Sequence, residues 1–211
     1  MDDNVLGKRT LATRRESYER LGWLYALDPG VVIFRALRFF WQRDQEGQPV
    51  LAFLCASARD PLLRMTANTV LKTPLEETLS NSRMEEAITL GATGRFNEAT
   101  QVKIARNAAG SWTHAGYLRG HRKKVRVRPT ITPATVAYAL VLGYLAGASG
   151  QMLLTTFWAR LLDTPRDQMT SLAAEASARG WIAYRQSGQV IEVRFPDLLT
   201  PEELEARREQ D

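Results

Sequence analysis

One cysteine and two histidines are all that 211 residues offer toward a Cys/His metal site. A single Cys55 excludes an internal disulfide, and no Cys/His set of three or four can be assembled for zinc. Cys55 closes the apolar run Val50-Leu51-Ala52-Phe53-Leu54-Cys55 and reads as a small buried hydrophobe. Neither His114 nor His121 has a carboxylate nearby in sequence, so a Ser-His-Asp arrangement would need an acid from far along the chain. His121-Arg-Lys123 has the His-x-Lys spacing of phospholipase-type nucleases, but Arg128 stands where that chemistry requires Asp. A phosphate-binding loop is missing too: Gly7-Lys8-Arg9-Thr10 lacks the upstream glycine and the preceding strand, and Gly91 to Gly94 is no dinucleotide fingerprint. The pairs Glu76-Glu77, Glu85-Glu86 and Glu202-Glu203 suit helix starts and polar faces, where acids complement the helix dipole. These absences predict a protein that is not an enzyme, with no catalytic set, no metal and no cofactor.

Long hydrophobic runs are also missing. The most apolar stretch, Ala134 to Leu145, falls short of the ~20 residues needed to span a bilayer. Met1 to Arg15 is polar and charged, without the apolar core of a secretory signal. The expectation is a cytoplasmic protein with no membrane contact.

The most informative absence is of acid. Between Ala99 and Leu162 there is no Asp or Glu. The segment holds nine of the 28 basic residues, so the rest of the chain is net −4 although the whole is +5. Positive charge is thus concentrated in one region, which favours a phosphate-bearing partner. Six of the nine fall in Arg119-Gly-His-Arg-Lys-Lys-Val-Arg-Val-Arg128. One reading is a solvated loop. The other takes Val125 and Val127, alternating with Arg126 and Arg128, as strand periodicity, with valines inward and guanidinium groups outward toward phosphates.

Patterning elsewhere predicts mainly α structure with small β-hairpins, an α+β chain. A loose tail at 1–14 precedes helices over 15–27 and 31–43, a turn at 45–49, and helices over 50–58 and 61–71, the last capped by Asp60 with Pro61 in its first turn. Thr73-Pro74 is expected to open a short helix, 82–90 another, and Asn97 to cap a helix over 98–109 that stops at Gly110. The basic hairpin follows. A second series starts at Thr132-Pro133 with a helix to about Leu145. Helices over 151–162 and from Thr164-Pro165 to Gly180 come next, then a hairpin across Ser187-Gly188. Thr200-Pro201-Glu202-Glu203 begins a charged helix with a capping box. The resulting organisation is an N-terminal helical region (1–72), two similar units (73–130 and 131–198) and a C-terminal helix (199–211). Trp23, Trp41, Trp158 and Trp181 read as core residues, whereas Trp112 either buttresses the hairpin or stacks on an unpaired base.

Three helices followed by a two-stranded hairpin resemble the winged-helix fold, once over Thr73 to Arg128 and again over Thr132 to Phe195. In that family the third helix often enters the major groove and the wing touches the backbone. The resemblance therefore implies that the first unit reads double-stranded DNA with Thr100, Gln101, Lys103, Arg106 and Asn107 on its third helix. Arg119, Arg122, Lys123, Lys124, Arg126 and Arg128 would reach phosphates from the wing, and Ser111, Thr113 and His114 would add neutral contacts. On the third helix of the second unit, Arg166, Asp167, Glu175 and Arg179 sum to zero, which suits a protein partner better. The chain length, the tandem units and Ile104-Ala-Arg-Asn-Ala-Ala-Gly-Ser-Trp-Thr-His-Ala-Gly-Tyr117 also resemble small DNA-binding accessory proteins of bacterial phage-exclusion (BREX-type) islands. That likeness implies an accessory or regulatory role in antiviral defence. A homodimer is compatible with this, because duplex sites often mirror two-fold proteins. Two other readings stay open: an interaction module whose basic patch meets an acidic protein, and an RNA binder.

Overall fold

The structure, a computed structural model, describes Val5 and residues 7–208, so parts of the expected tail and C-terminal helix fall outside the described residues. The tail ends sooner than expected. Thr10 accepts a hydrogen bond from the Thr13 amide at 3.2 Å and starts α1 (Leu11–Tyr25). Two consecutive left-handed residues, Ala26 and Leu27 (φ 66° and 55°), end it. Helix α2 (Val32–Trp41) buries Ala36, Leu37 and Phe40. Helix α3 (Gln48–Arg59) begins inside the expected turn because Pro49, in its first turn, has no amide to leave unpaired.

The helix expected over 61–71 is broken into α4 (Pro61–Met65) and α5 (Ala67–Leu71). At the break, the Thr66 amide bonds to the Leu63 carbonyl three residues back, at 3.2 Å. The Thr66 hydroxyl donates to the same carbonyl at 2.7 Å and accepts the Trp112 indole N–H at 2.8 Å. Thr73-Pro74 opens no helix. The chain extends instead to β1 (Thr78–Leu79), because backbone pairing of Glu76 and Glu77 with Arg126, both bonds 2.9 Å, commits it to the sheet.

Helix α6 (Asn81–Gly91) is capped by Ser80, and α7 (Glu98–His114) by Asn97, which accepts from the Thr100 amide at 2.9 Å. Helix α7 runs straight through Gly110. It stops at Gly116 (φ 84°), where the amides of Gly116 and Tyr117 bond to the carbonyls of Thr113 and Trp112 in a Schellman arrangement. The hairpin β2 (Leu118–Arg119) and β3 (Lys124–Arg126) then joins β1 in an antiparallel sheet of order β1-β3-β2. At the turn, a Cβ on Gly120 (φ 102°) would lie 2.2 Å from the Lys123 carbonyl oxygen, so only glycine fits.

In the second half, Thr132 and Thr135 form a capping box at the start of α8 (Pro133–Leu145). The helix expected over 151–162 is a 3-10 segment (Gly150–Thr155) followed by the short α9 (Phe157–Leu161). Helix α10 (Arg166–Ala178) ends at Gly180 as expected, and β4 (Ala183–Ser187) pairs antiparallel with β5 (Val190–Arg194). In α11 (Pro201–Arg208), Glu203 closes the predicted capping box and forms an ion pair with Arg35 of α2 at 2.5 Å.

Helix α8 organises the interior. It is apolar on all sides, and eleven consecutive residues, Pro133 to Gly143, are buried against α2, α3, α9 and α10. It coincides with the most apolar stretch of the sequence; among the described residues no single helix is long and apolar enough to cross a membrane. Buried side chains of the N-terminal helices and of both later series belong to one cluster. Phe53 of α3 joins it to Trp112 and Tyr117, with ring centroids 4.4 and 5.2 Å away.

Candidate nucleic-acid interface

Helix α7 buries Ala105, Ala108, Ala109 and Trp112, and its small residues let it lie close on α6 and α3. The opposite face carries Lys103, Arg106, Asn107 and His114, all exposed. Lys103 and Arg106 make no ion pair or side-chain hydrogen bond with the described residues, so their charges point freely to solvent. Gln101 is committed elsewhere. Its side chain accepts from Thr89 of α6 at 2.9 Å and donates to the Phe96 carbonyl at 3.1 Å, bracing the turn between the two helices. Thr100 is half-buried beside it. Ser111 and Thr113 return their hydroxyls to the carbonyls of Asn107 and Ala109 on their own helix.

Asn107, Ser111 and His114 lie on one flank of this face. They line a cleft of ≈ 920 Å³ whose far wall is α1, with Glu16, Glu19, Arg20 and Trp23. Carboxylates on that wall oppose phosphate, so this flank of α7 is a poorer surface for a polyanion than the part around Lys103 and Arg106.

In the hairpin, Arg122 and Lys123 form the exposed tip and have no partner among the described residues. Lys124 donates to the Gly120 carbonyl at 2.8 Å, and Arg119 forms an exposed ion pair with Glu76 at 3.2 Å. The exception is Arg126. Expected to face outward, it is 1% exposed, and its guanidinium donates to the carbonyls of Val70 and Tyr117 (3.2 and 3.1 Å) and of Val127, and to the carboxylate of Asp163. Val125 and Val127 are only half-buried. The strand therefore turns its arginine, not its valines, to the deepest position, because there three backbone carbonyls and a carboxylate can satisfy the guanidinium. Arg126 is a structural residue. Arg128, beyond the strand, is exposed and lines a different cleft, between α5 and α9–α10.

The tryptophans divide differently from the expectation. Trp112 is wholly buried and buttresses the hairpin through Tyr117, its ring 4.8 Å away, so it has no face free for a base. Trp23, expected in the core, is 84% exposed on α1, and Trp41 is also exposed. Arg95, in the turn between α6 and α7 and exposed with its guanidinium over Phe96, escaped the sequence reading; its place just before the cap Asn97 is the signal that marks it. No group of three His, Cys, Asp or Glu among the described residues is placed to hold a metal ion.

Burial pushes the Cys55 thiol up to about 11 and raises the buried hydroxyls of Tyr117 and Tyr138 above their usual range. All three lie in the interior as packing groups. Compared with known proteins, the chain matches no family model, and neither a curated protein nor a solved structure is significantly similar to it.

Proposed function

We propose that this chain is a non-catalytic DNA-binding protein, an accessory or regulatory factor, that holds double-stranded DNA between the outer face of α7 and the β2–β3 tip. The observation that carries this reading is the set of unpaired, exposed cations Lys103, Arg106, Arg122 and Lys123, presented by a helix and a neighbouring hairpin in a stretch without a single acid. The order of elements supports it. The expected unit over 73–130 holds two helices, α6 and α7; with α4–α5 from the preceding region counted first, three helical segments precede a hairpin joined by a strand from between the first two, an order that resembles the winged helix. In such folds the third helix and the wing are the parts that meet DNA. The second series, α8 to β5, repeats helices before a hairpin, but its α10 has balanced charge, and we assign it to packing or to a protein partner. The resemblance to phage-exclusion accessory proteins supports a role in antiviral defence.

The test is binding to a labelled random-sequence duplex at two salt concentrations, with wild type and the variant Arg122→Ala/Lys123→Ala/Lys124→Ala. Arg126 stays intact because its loss would disturb the fold. Tight, salt-sensitive binding that the variant loses supports the reading. No binding at low salt overturns it and leaves the hairpin as a docking surface for an acidic protein.

A further inference from the structure

A second basic surface lies away from α7 and the hairpin tip. The cleft between α5 and α9–α10, ≈ 740 Å³, is lined by Arg64, Lys72, Arg128, Arg160 and Arg166. Its one carboxylate, Asp163, is already held by Arg126. Lys72, Arg128, Arg160 and Arg166 make neither ion pairs nor side-chain hydrogen bonds with the described residues. Arg64 spends one nitrogen on the carbonyls of Ser57 and Ala58 (2.8 and 3.0 Å). Five cations facing one hollow repel one another, and no carboxylate of the described residues forms an ion pair with any of them. Helix α10 also begins at this cleft, with Thr164, Pro165 and Arg166 in its wall, no side-chain cap and one acid, Asp167, in its first turn outside the cleft lining. The remaining wall is apolar, built from Leu71, Leu154, Phe157 and Met169. The volume falls in the range of small-ligand sites, ~300–1,000 Å³. No residue of α7 or of the hairpin tip contributes to it.

We propose that this cleft binds a nucleoside polyphosphate, with the phosphates on the five cations and the base against the apolar wall. Concentrated positive charge calls for several phosphates on one ligand, and arginine forks suit them. The apolar wall and the volume suit a ligand with an aromatic part. Cations contributed by two separate stretches of chain, 64–128 and 160–166, would be brought to one ligand.

The experiment is calorimetric titration of the full chain with ATP and with inorganic tripolyphosphate, for wild type, Arg160→Gln/Arg166→Gln and Arg122→Ala/Lys123→Ala. Duplex binding and thermal midpoint are measured on the same preparations. Arg160 and Arg166 are exposed, so the midpoint should not move. The expected result is saturable binding that weakens about tenfold or more in the cleft variant, as loss of charge-assisted hydrogen bonds predicts. The hairpin variant should bind ATP as wild type does, and duplex binding by the cleft variant should be unchanged. Tighter binding of ATP than of tripolyphosphate supports the site with the base on the apolar wall. Tripolyphosphate binding as tightly overturns the role given to that wall. Absence of saturable ATP binding, or ATP binding that the cleft variant retains, overturns the proposal. So does a cleft variant that loses the duplex without a change in ATP affinity.

Discussion

The guanidinium of Arg126 is buried beneath the β1-β3-β2 sheet and forms an ion pair with the carboxylate of Asp163, 37 residues further along the chain. One bond thus ties the basic hairpin to the segment between α9 and α10. Tyr117 makes a parallel tie, its hydroxyl donating to the Leu161 carbonyl at 2.5 Å. Arg126→Ala would leave the Asp163 carboxylate without its guanidinium and take one donor from each of three carbonyls, of which those of Val70 and Tyr117 keep the amides of Thr73 and Val127. A loss of about 3–5 kcal/mol in unfolding free energy is expected. Arg122→Ala, at the exposed tip, should stay within about 0.5 kcal/mol of wild type. Urea denaturation of the two variants checks the contrast, and equal effects would show that burial of Arg126 carries no energetic weight.

On the proposed DNA-facing surface, Lys103→Ala and Arg106→Ala should each weaken duplex binding and lower the dependence of log K on log salt by about 0.9 for every phosphate no longer neutralised. Arg166→Ala and Arg179→Ala should leave both quantities near wild type, since neither side chain lies on α7 or the hairpin. A salt titration of binding by fluorescence anisotropy reads both numbers at once.

Gly47 precedes α3 and packs against the start of α8. A Cβ there would lie 2.6 Å from the Thr132 hydroxyl and 2.8 Å from a buried carboxylate oxygen of Asp44. Gly47→Ala should therefore destabilise by about 1–3 kcal/mol through overpacking, despite the usual gain from removing a glycine. A lowered thermal midpoint in scanning calorimetry is the expected outcome.

Alkaline pH should unfold the protein. The Cys55 thiol, ordinarily at 9.0, is raised to about 11 by burial, and Tyr25, Tyr117 and Tyr138 are raised from 10.0 for the same reason. The native state holds these protons more tightly than the unfolded chain. The corresponding stability is present in full below pH 9 and is lost as pH rises through about 11. Denaturation midpoints between about pH 8 and 11.5 should fall steadily, and Cys55 should resist thiol reagents at about pH 8 until the protein unfolds.

Much of this was legible from local signals. Asn97, Asp60 and Thr132 are short-range caps whose hydrogen bonds close within three residues, and each forms where the sequence predicts it. The ends of helices were harder. Gly110 and Gly116 look alike in sequence, yet only Gly116 takes the left-handed conformation, because Trp112 must stay on the buried face of α7 to reach Thr66. The alternation of Val125, Arg126 and Val127 marked a strand correctly but not which side faced the interior. That choice depended on Asp163 and on the carbonyl of Val70, 56 residues away, which no local pattern contains. The basic cleft was hidden for the same reason. Its cations are single residues scattered from Arg64 to Arg166, and they meet only once α5, α9 and α10 are packed.

Helix α8 has a consequence for how the protein is made. It follows the hairpin in the chain, and the Arg126 partner lies later still. Synthesis at ~5–20 residues per second puts about 2–7 s between the appearance of Arg126 and that of Asp163. During that interval Arg126 has the carbonyls of Val70, Tyr117 and Val127 within reach but not the carboxylate of Asp163, and Phe53, Trp112 and Tyr117 wait for the helix that completes their core. The ribosome thus releases the proposed DNA-facing surface before the part of the chain that stabilises it, and a stop introduced just after residue 130 should yield a hairpin less stable than in the full chain, without its ties to Leu161 and Asp163.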